Sequence, residues 1–208
     1  MLFSGLDPTT LVSLVIAVVV AISVHEFAHA VAADLLGDPT PRQQGRLTLD
    51  PRRHLEPWGS IMLLLGGFGW GRPVYTNPHY YRCDARTGMA IVAIAGPLSN
   101  LALAMLASFP IRLQLVSQPI LAYGVWIFVS TNIALLVFNL IPISPLDGFK
   151  IAVGFLPDSW ACMLLRLEAR GPMILMMLVI MPRLIGFDLI GMLMGPPHGV
   201  IMDMLHGA

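Results

Sequence analysis

Residues 11–36 read LVSLVIAVVVAISVHEFAHAVAADLL, a stretch long and apolar enough to form a membrane-spanning helix. Three polar residues, His25, Glu26 and His29, interrupt it toward its C-terminal end. An ionisable side chain at the centre of a bilayer costs about 2.5–3.5 kcal/mol even on lenient insertion scales. Because three such residues share one apolar segment, we expect this segment to be a membrane span that carries a functional site.

The rest of the chain also has the composition of a membrane protein. Hydrophobic residues make up 56% of the 208 residues and charged residues only 12%, against roughly 25% charged residues in a typical soluble domain. The formal net charge is zero, which gives no indication of a nucleic-acid partner. Spans of about 20 mainly apolar residues are predicted at Leu11–Leu36, Gly88–Phe109, Ile120–Ile141 and Pro172–Leu193.

Two shorter apolar segments complete the predicted architecture. Ile61–Phe68 is too short to cross a membrane, so we expect a partly inserted or re-entrant segment there, and Ile151–Leu167 is a weaker helical candidate. We predict an all-α integral membrane protein, a bundle of about four to six membrane helices surrounded by lipid. It would form one domain over residues 1–208, with a catalytic core at about 11–150 and C-terminal membrane helices at about 151–208.

Arginines are concentrated in one connection between the predicted spans. Residues 38–87 contain seven of them, whereas residues 110–119 contain one and residues 1–10 contain no lysine or arginine. Connections rich in positive charge remain in the cytoplasm. We therefore expect an external N-terminus, with the segments after the first and third spans in the cytoplasm of a bacterium or archaeon. Without basic residues before it or a small-residue cleavage pattern after it, the first span is expected to be retained.

Residues 25–29 read HEFAH, an HExxH motif. Because a helix has 3.6 residues per turn, His25 and His29 should lie on one face, one turn apart. Two imidazoles placed in this way bind one metal ion, and Glu26 is then close enough to act as a general base toward an attacking water. The motif predicts one catalytic zinc per chain, whereas a chance occurrence is disfavoured by the cost of placing these residues in a bilayer.

Asp147 is the candidate for the third protein ligand that a catalytic zinc needs. It belongs to the stretch NLIPISPLDG at residues 139–148, just past the inner end of the third predicted span. Pro142 and Pro145 free backbone carbonyls, which a membrane tolerates only inside protein or beside a water-filled cavity. The predicted topology places Asp147 at the same depth as HExxH. Alternatively, Asp147 only caps a helix that begins near Gly148.

Together the two motifs resemble those of the site-2 protease family of intramembrane zinc metalloproteases, peptidase family M50, whose core pairs HExxH with a later NxxPxxPLDG. The resemblance covers about residues 20–150, and the chain is similar to minimal members without PDZ or CBS domains. Asp50 departs from the family pattern, which more often has asparagine there. Three other stretches share in the resemblance: GRLTLDP at 45–51 with His54 and PWG at 57–59, GWGRPVYTNP at 69–78, and GPLSN at 96–100.

This resemblance implies a role for each candidate site residue. His25, His29 and Asp147 would bind the zinc ion. Glu26 would activate the attacking water. Asn139 would help to stabilise the oxyanion formed during peptide hydrolysis.

The resemblance also implies what the enzyme acts on and how it holds the substrate. The stretch Gly66–Asn77 would form a small membrane-associated β region, which offers an edge to an extended substrate. The substrate would be a membrane-spanning regulatory protein or a leftover signal peptide, cut within or near its transmembrane segment. A helical substrate must unwind first, because its hydrogen bonds shield the scissile carbonyl.

Other polar residues have weaker claims to a functional role. His54 could replace Asp147 as a metal ligand, although its arginine-rich surroundings favour a structural or surface role. Asn100 could either pack between helices or orient a zinc ligand. Cys83 and Cys162 lack metal-site spacing and are not expected to form a disulfide. We assign no catalytic role to His79, Arg183, Asp188, His198 and His206.

Two alternatives to a membrane protease follow from the same residues. A membrane protein that binds or transports metal without catalysis would also place histidines and carboxylates in the bilayer, but it would not need Glu26 as a base. An inactive homologue that only captures membrane helices is disfavoured by the intact HExxH motif and by Asp147.

Overall fold

A computed structural model describes residues 7–66, 71–184 and 186–206, and most of these residues are helical. Two short 3-10 turns occupy Pro78–Tyr80 and Glu168–Arg170. The α-helices, in chain order, are α1 (Pro8–Leu35), α2 (Thr40–Gln43), α3 (Pro51–His54), α4 (Pro57–Gly66), α5 (Ala85–Arg112), α6 (Pro119–Asn139), α7 (Asp147–Phe155), α8 (Asp158–Leu167), α9 (Gly171–Leu184) and α10 (Leu189–His206).

Within the described residues, three helices are long and apolar enough to cross a membrane: α1, α5 and α6. Their limits confirm the first three predicted spans to within a few residues. The side chain of Asp7 accepts a hydrogen bond from the Thr10 amide at the start of α1, and Asp84 accepts from Arg86 and Thr87 at the start of α5. These carboxylates satisfy backbone amides that have no partner inside the helix.

Two stripes of mostly small residues allow α1 and α5 to lie close together. On α1, the buried residues recur every fourth position as Ala17, Ala21, His25, His29 and Ala33. The corresponding buried stripe on α5 consists of Gly88, Val92, Gly96, Asn100, Ala104 and Ser108. Small side chains let membrane helices approach closely. Because the two histidines of HExxH continue the alanine stripe of α1, they face α5 and the interior rather than lipid.

The fourth predicted span, Pro172–Leu193, is wrong as a single helix. Helix α9 has 14 residues, which is too short to cross a bilayer, and it ends at Leu184. Gly186 has a positive φ of 77°, a conformation that glycine adopts at low cost. The Asp188 carboxylate then accepts from the Gly191 amide at the start of α10. Hydropathy alone did not reveal this turn.

The C-terminal helices pack against α5, α6 and the loop that follows α6. Met202 of α10 packs in a buried cluster with Ala104 of α5 and Ile133 of α6. Leu175 and Val179 of α9 pack against the loop that follows α6. The C-terminal helices therefore support the loop that leads to Asp147.

The weaker helical candidate Ile151–Leu167 is divided between α7 and α8. Pro157 lies at the break and cannot donate the hydrogen bond that would continue a helix. Arg86 of α5 holds this junction by donating to the carbonyls of Val153 and Leu156. The apolar segment predicted at Ile61–Phe68 begins inside α4, and its last two residues lie outside the described part of the chain.

The small β region predicted at Gly66–Asn77 is not supported. Residues 71–77 form no strand, and their only ladder-type contact is one isolated antiparallel bridge between Leu55 and Gly71. Residues 67–70 lie outside the described residues. Pro73 in this segment lacks the amide hydrogen that a regular strand pairing would use, which weakens its capacity for a ladder.

Candidate metal centre

The side chains of His25, His29 and Asp147 converge on one point in the interior. The Nε2 atoms of His25 and His29 lie 3.0 and 3.2 Å from Oδ2 of Asp147. The two Nε2 atoms lie 3.1 Å from each other. Among the described residues, these three form the group of metal-ligating side chains whose donor atoms all lie within 4.8 Å of one another. The structure thus brings together the three residues predicted to bind the metal.

Hydrogen bonds from α5 determine which nitrogen of each imidazole carries the proton. The Nδ1 atom of His25 lies 2.7 Å from Oδ1 of Asn100, and the Nδ1 atom of His29 lies 2.7 Å from the Val92 carbonyl. Both oxygens can only accept, so both Nδ1 atoms donate. In a neutral imidazole the Nε2 atom then keeps its lone pair. The lone pairs of His25 and His29 both point toward Asp147.

The orientation of the Asn100 amide is itself fixed by its other contacts. Its Nδ2 atom donates to Oδ1 of Asn132 at 3.0 Å and to the Ala21 carbonyl at 3.3 Å. Asn132 in turn donates to the Phe128 carbonyl of its own helix. These bonds leave Oδ1 of Asn100 as the atom that faces His25, so the amide pair links α1, α5 and α6 around one histidine.

This arrangement fits a bound metal ion. Two neutral imidazole nitrogens and one carboxylate oxygen present lone pairs to one another, which is unfavourable without a cation between them. Oδ2 of Asp147 is buried, and no group in the described residues donates a hydrogen bond to it. Histidine nitrogen and carboxylate oxygen are ligands that zinc accepts, and three protein ligands with an open fourth position are typical of catalytic zinc.

Asp147 reaches the two histidines because the loop after α6 is tightly packed. Gly148 leaves no room for a side chain, since a Cβ atom there would lie 2.3 Å from the Leu140 carbonyl oxygen. Leu146 is buried against Leu175 and Val179. Asp147 is the first residue of α7, and its side chain faces the metal group instead of capping the helix, so the alternative capping role is not what the geometry shows.

Gly96 lies against the imidazole rings on the α5 side. A Cβ atom at this position would lie 2.4 Å from Nε2 of His29 and 2.6 Å from Cε1 of His25. Such distances are far below van der Waals contact. Only glycine therefore allows α5 to approach the two histidines this closely.

The metal group opens into a cavity of about 330 Å³. Glu26 lines it with a half-buried side chain, and Asn139 lines it from the end of α6. Nδ2 of Asn139 donates one hydrogen bond to the Leu135 carbonyl, which leaves its second hydrogen for a ligand. The cavity lining in the described residues comprises Ile22, His25, Glu26, His29, Gly71, Pro73, Val74, Thr76, Val92, Ala93, Leu135, Phe138, Asn139, Pro145, Leu146, Asp147 and Lys150.

Two buried charged residues hold the irregular segment that forms one wall of this cavity. Arg46 donates to the carbonyls of Arg53 and Pro73, and burial lowers the pKa of its guanidinium below the ordinary value. Asp38 accepts from the Asn77 amide at 2.6 Å. These contacts give the segment a fixed position in place of a strand ladder.

Three further histidines in the described residues, His54, His79 and His198, lie outside the metal group. His54 is fully buried, and its Nε2 atom donates to the Thr48 carbonyl at 2.6 Å, so its role is structural and not ligation in place of Asp147. His198 bonds with Ser130 instead. His79 is exposed.

Sequence reasoning did not assign a role to several residues around the site. Gly96 and the Val92 carbonyl were missed because their importance depends on which face of α5 meets α1. Asn132 is a polar residue in an apolar span, which is a detectable signal. Lys150 follows Asp147 by three residues, so helical spacing from the ligand could have identified it.

Comparison with known proteins gives consistent matches. The family model described as "Peptidase family M50" matches residues 13–121. The chain is 37% identical over 179 residues to "Putative zinc metalloprotease YwhC" of Bacillus subtilis (strain 168), which covers 81% of this chain and 80% of the relative. No solved structure gives a significant match.

Mycobacterial relatives match over a smaller share of their length. "Putative zinc metalloprotease Rip2" of Mycobacterium tuberculosis is 40% identical over 139 residues, which are 62% of this chain and 52% of the relative. The Rip2 protein of Mycolicibacterium smegmatis is 30% identical over 171 residues, 79% of this chain and 65% of the relative. Together with the three membrane-capable helices, these matches show that the chain is an integral membrane protein that belongs to peptidase family M50, the site-2 protease family.

Proposed function

We propose that this chain is an intramembrane zinc metalloprotease that hydrolyses peptide bonds within or near transmembrane segments of membrane proteins. One observation carries the proposal: the lone pairs of His25, His29 and Asp147 meet at one buried point beside the Glu26 carboxylate. The first two lie on a helix long enough to span a membrane, so the reaction would take place inside the bilayer.

His25, His29 and Asp147 would hold one zinc ion per chain. Asn100 and the Val92 carbonyl hold the two imidazoles in the tautomer that ligation needs. Bound zinc supplies a Lewis acid that polarises a carbonyl and lowers the pKa of water.

Glu26 would serve as the general base. It is the carboxylate of the cavity that does not belong to the ligand group, and it is half-exposed to the space a substrate would enter. Its carboxylate would take a proton from the attacking water and return it to the leaving amine. Asn139, which lines the same cavity, would donate its second amide hydrogen to the oxyanion.

The dimensions of the cavity restrict the form of the substrate. A space of about 330 Å³ holds a few residues of extended chain but not a helix with its side chains, which is about 10 Å wide. A transmembrane helix must therefore unwind near the cut. Weak helix formers such as glycine and proline next to the scissile bond would favour cleavage.

The cytoplasmic side is the expected location of the site. The arginine-rich residues 38–87 connect α1 to α5 at the end of α1 that carries HExxH. The positive-inside rule places this connection in the cytoplasm. A membrane-spanning regulatory protein or a leftover signal peptide is the substrate class we propose.

Glu26→Gln distinguishes the protease from a metal-binding or metal-transporting protein. We expect the purified variant to retain its zinc and to lose at least about 100-fold in the cleavage rate of single-span substrates. Glu168→Gln, an exposed change outside the cavity, serves as the matched control and should cleave like wild type. If the wild type binds zinc but does not cut such substrates, or if Glu26→Gln cuts them at the wild-type rate, the proposed protease function is wrong.

A further inference from the structure

Lys150 is the sole lysine of the chain, and it lines the same cavity as the metal group. It lies three residues after Asp147 on α7, so both side chains project from one face of the helix. The intervening Gly148 and Phe149 are buried in the other direction, against the α6 end and against Val153. Lys150 and Asp147 thus both lie in the first turn of α7, so the position of this helix determines the position of both residues.

Lys150 has no counter-ion in the described part of the chain. The carboxylates there that contact a basic side chain are Asp34 with Arg42, Asp158 with Arg86, and Asp147 with the two imidazoles of the metal group. The lysine side chain is exposed, so no buried contact fixes its ammonium group. Its four-carbon stem gives the charge a wide reach within the cavity.

The charges of the cavity lining do not balance once the metal is present. With the proposed zinc bound, the two positive charges of the ion offset the carboxylates of Glu26 and Asp147. Both ligand histidines are neutral when they coordinate. Lys150 then adds one positive charge that no carboxylate of the cavity lining offsets, so a carboxylate that enters the cavity is attracted to it.

We propose that Lys150 determines substrate specificity by binding a carboxylate of the substrate close to the scissile bond. This inference rests on the proposed protease function and names a feature of its substrates. The carboxylate can come from an aspartate or glutamate side chain or from a free C-terminus, since the same ammonium donors recognise both. The reaction itself requires no covalent change at Lys150.

The test compares matched peptides that differ only in the charge near the cut. One set carries aspartate or asparagine at successive positions around the cleavage site, and a second set ends in a free carboxylate or an amide. We expect wild type to favour one carboxylate position by about 10-fold in kcat/KM, and the favoured set identifies the source of the carboxylate. The preference should vanish in Lys150→Met and persist in Lys150→Arg.

Arg166→Met provides the matched control, because Arg166 is an exposed cation on α8 that does not line the cavity. It should keep the wild-type preference. An undiminished preference in Lys150→Met would overturn the inference. So would an equal loss of kcat/KM on both members of every pair, which would indicate a structural role.

A second measurement keeps the inference separate from the protease function. In zinc-loaded Glu26→Gln, acetylation of Lys150 by an amine-reactive reagent can be followed by mass spectrometry, with the N-terminal amine as an internal reference. A carboxylate-bearing peptide should slow this acetylation at least about threefold, whereas its amide counterpart should not. Equal acetylation with both peptides contradicts the inference even if the wild type cleaves. If the carboxylate-bearing peptide alone slows acetylation of Lys150 but the wild type does not cleave, carboxylate binding is supported and the proposed protease function is wrong.

Discussion

The described residues contain two buried histidine sites, which differ in what the second ring nitrogen contacts. In His25 and His29, one nitrogen donates to a protein oxygen and the other meets a carboxylate within 3.2 Å. In His54, one nitrogen donates to the Thr48 carbonyl, and the buried Nδ1 atom has no hydrogen-bond partner in the described residues.

Burial and a single hydrogen bond therefore do not distinguish a ligand from a structural histidine. What distinguishes them is whether a second lone pair converges with others on one point. The pair on α1 has this property because HExxH places the rings one turn apart and α7 adds Asp147. His54 is the last residue of α3, and its ring joins this helix to the Thr48 carbonyl without meeting a carboxylate among the described residues.

The substitution with the largest expected effect displaces the imidazole rings of His25 and His29. In Gly96→Ala, the new methyl group would lie within 2.6 Å of both rings, so we expect zinc binding to weaken by about 100-fold. Competition with a soluble zinc chelator measures this. Gly199→Ala on α10 is the control, since a Cβ there has open space. Equal zinc affinity in both variants would show that the close approach of α5 is unimportant.

Removal of the oxygen that orients His25 should have the next largest effect. We expect Asn100→Ala to weaken zinc binding by about 30-fold, within the range for residues that orient a metal-binding histidine. Asn100→Asp keeps an acceptor for Nδ1 and should recover most of the affinity. If Asn100→Ala and Asn100→Asp lose the same affinity, the amide oxygen does not act through the imidazole.

Asn132 lies one hydrogen bond further from the metal group than Asn100, so its substitution should have a smaller effect on zinc affinity. Asn132→Ala removes the acceptor that holds the Asn100 amide, and one hydrogen bond of about 1 kcal/mol corresponds to a loss of about fivefold in zinc affinity. Ser108→Ala removes a buried side-chain bond elsewhere on α5 and should leave zinc binding unchanged. A loss in Asn132→Ala as large as in Asn100→Ala would contradict this graded arrangement.

For His54, the structural histidine of the comparison, we predict no effect on zinc affinity. His54→Leu leaves the Thr48 carbonyl without its donor, so we expect a loss of about 1–3 kcal/mol in stability and a lower melting temperature in detergent. Zinc affinity per folded molecule should stay at the wild-type value. His79→Ala, an exposed change, should alter neither quantity. A fall in zinc affinity of the folded His54→Leu protein would indicate that His54 takes part in metal binding and would contradict its structural role.

Much of the fold could be predicted because hydropathy and helical periodicity act locally. The spans α1, α5 and α6 follow from uninterrupted apolar runs. The convergence of His25, His29 and Asp147 was predictable from HExxH spacing and from the equal depth that the predicted topology gives to the ends of the first and third spans. Their ligation of zinc and the base role of Glu26 remain predictions.

The rest depended on contacts between distant segments. Pro172–Leu193 divides because Gly186 turns the backbone and Asp188 starts a new helix, neither of which changes hydropathy. Gly66–Asn77 was expected to form a β region, but its described part is held by Arg46 and Asp38 instead of a neighbouring strand. Small residues recur at every fourth position of α5, but the role of Gly96 depends on the approach of this helix to the imidazole rings of α1.

The most direct measurement of the central claim is the zinc content of purified Asp147→Ala beside wild type and His54→Leu at stoichiometric metal. We expect one zinc per chain in wild type and in His54→Leu, and loss of most of the zinc in Asp147→Ala because only two ligands remain. Full zinc occupancy in Asp147→Ala would contradict a centre built from His25, His29 and Asp147.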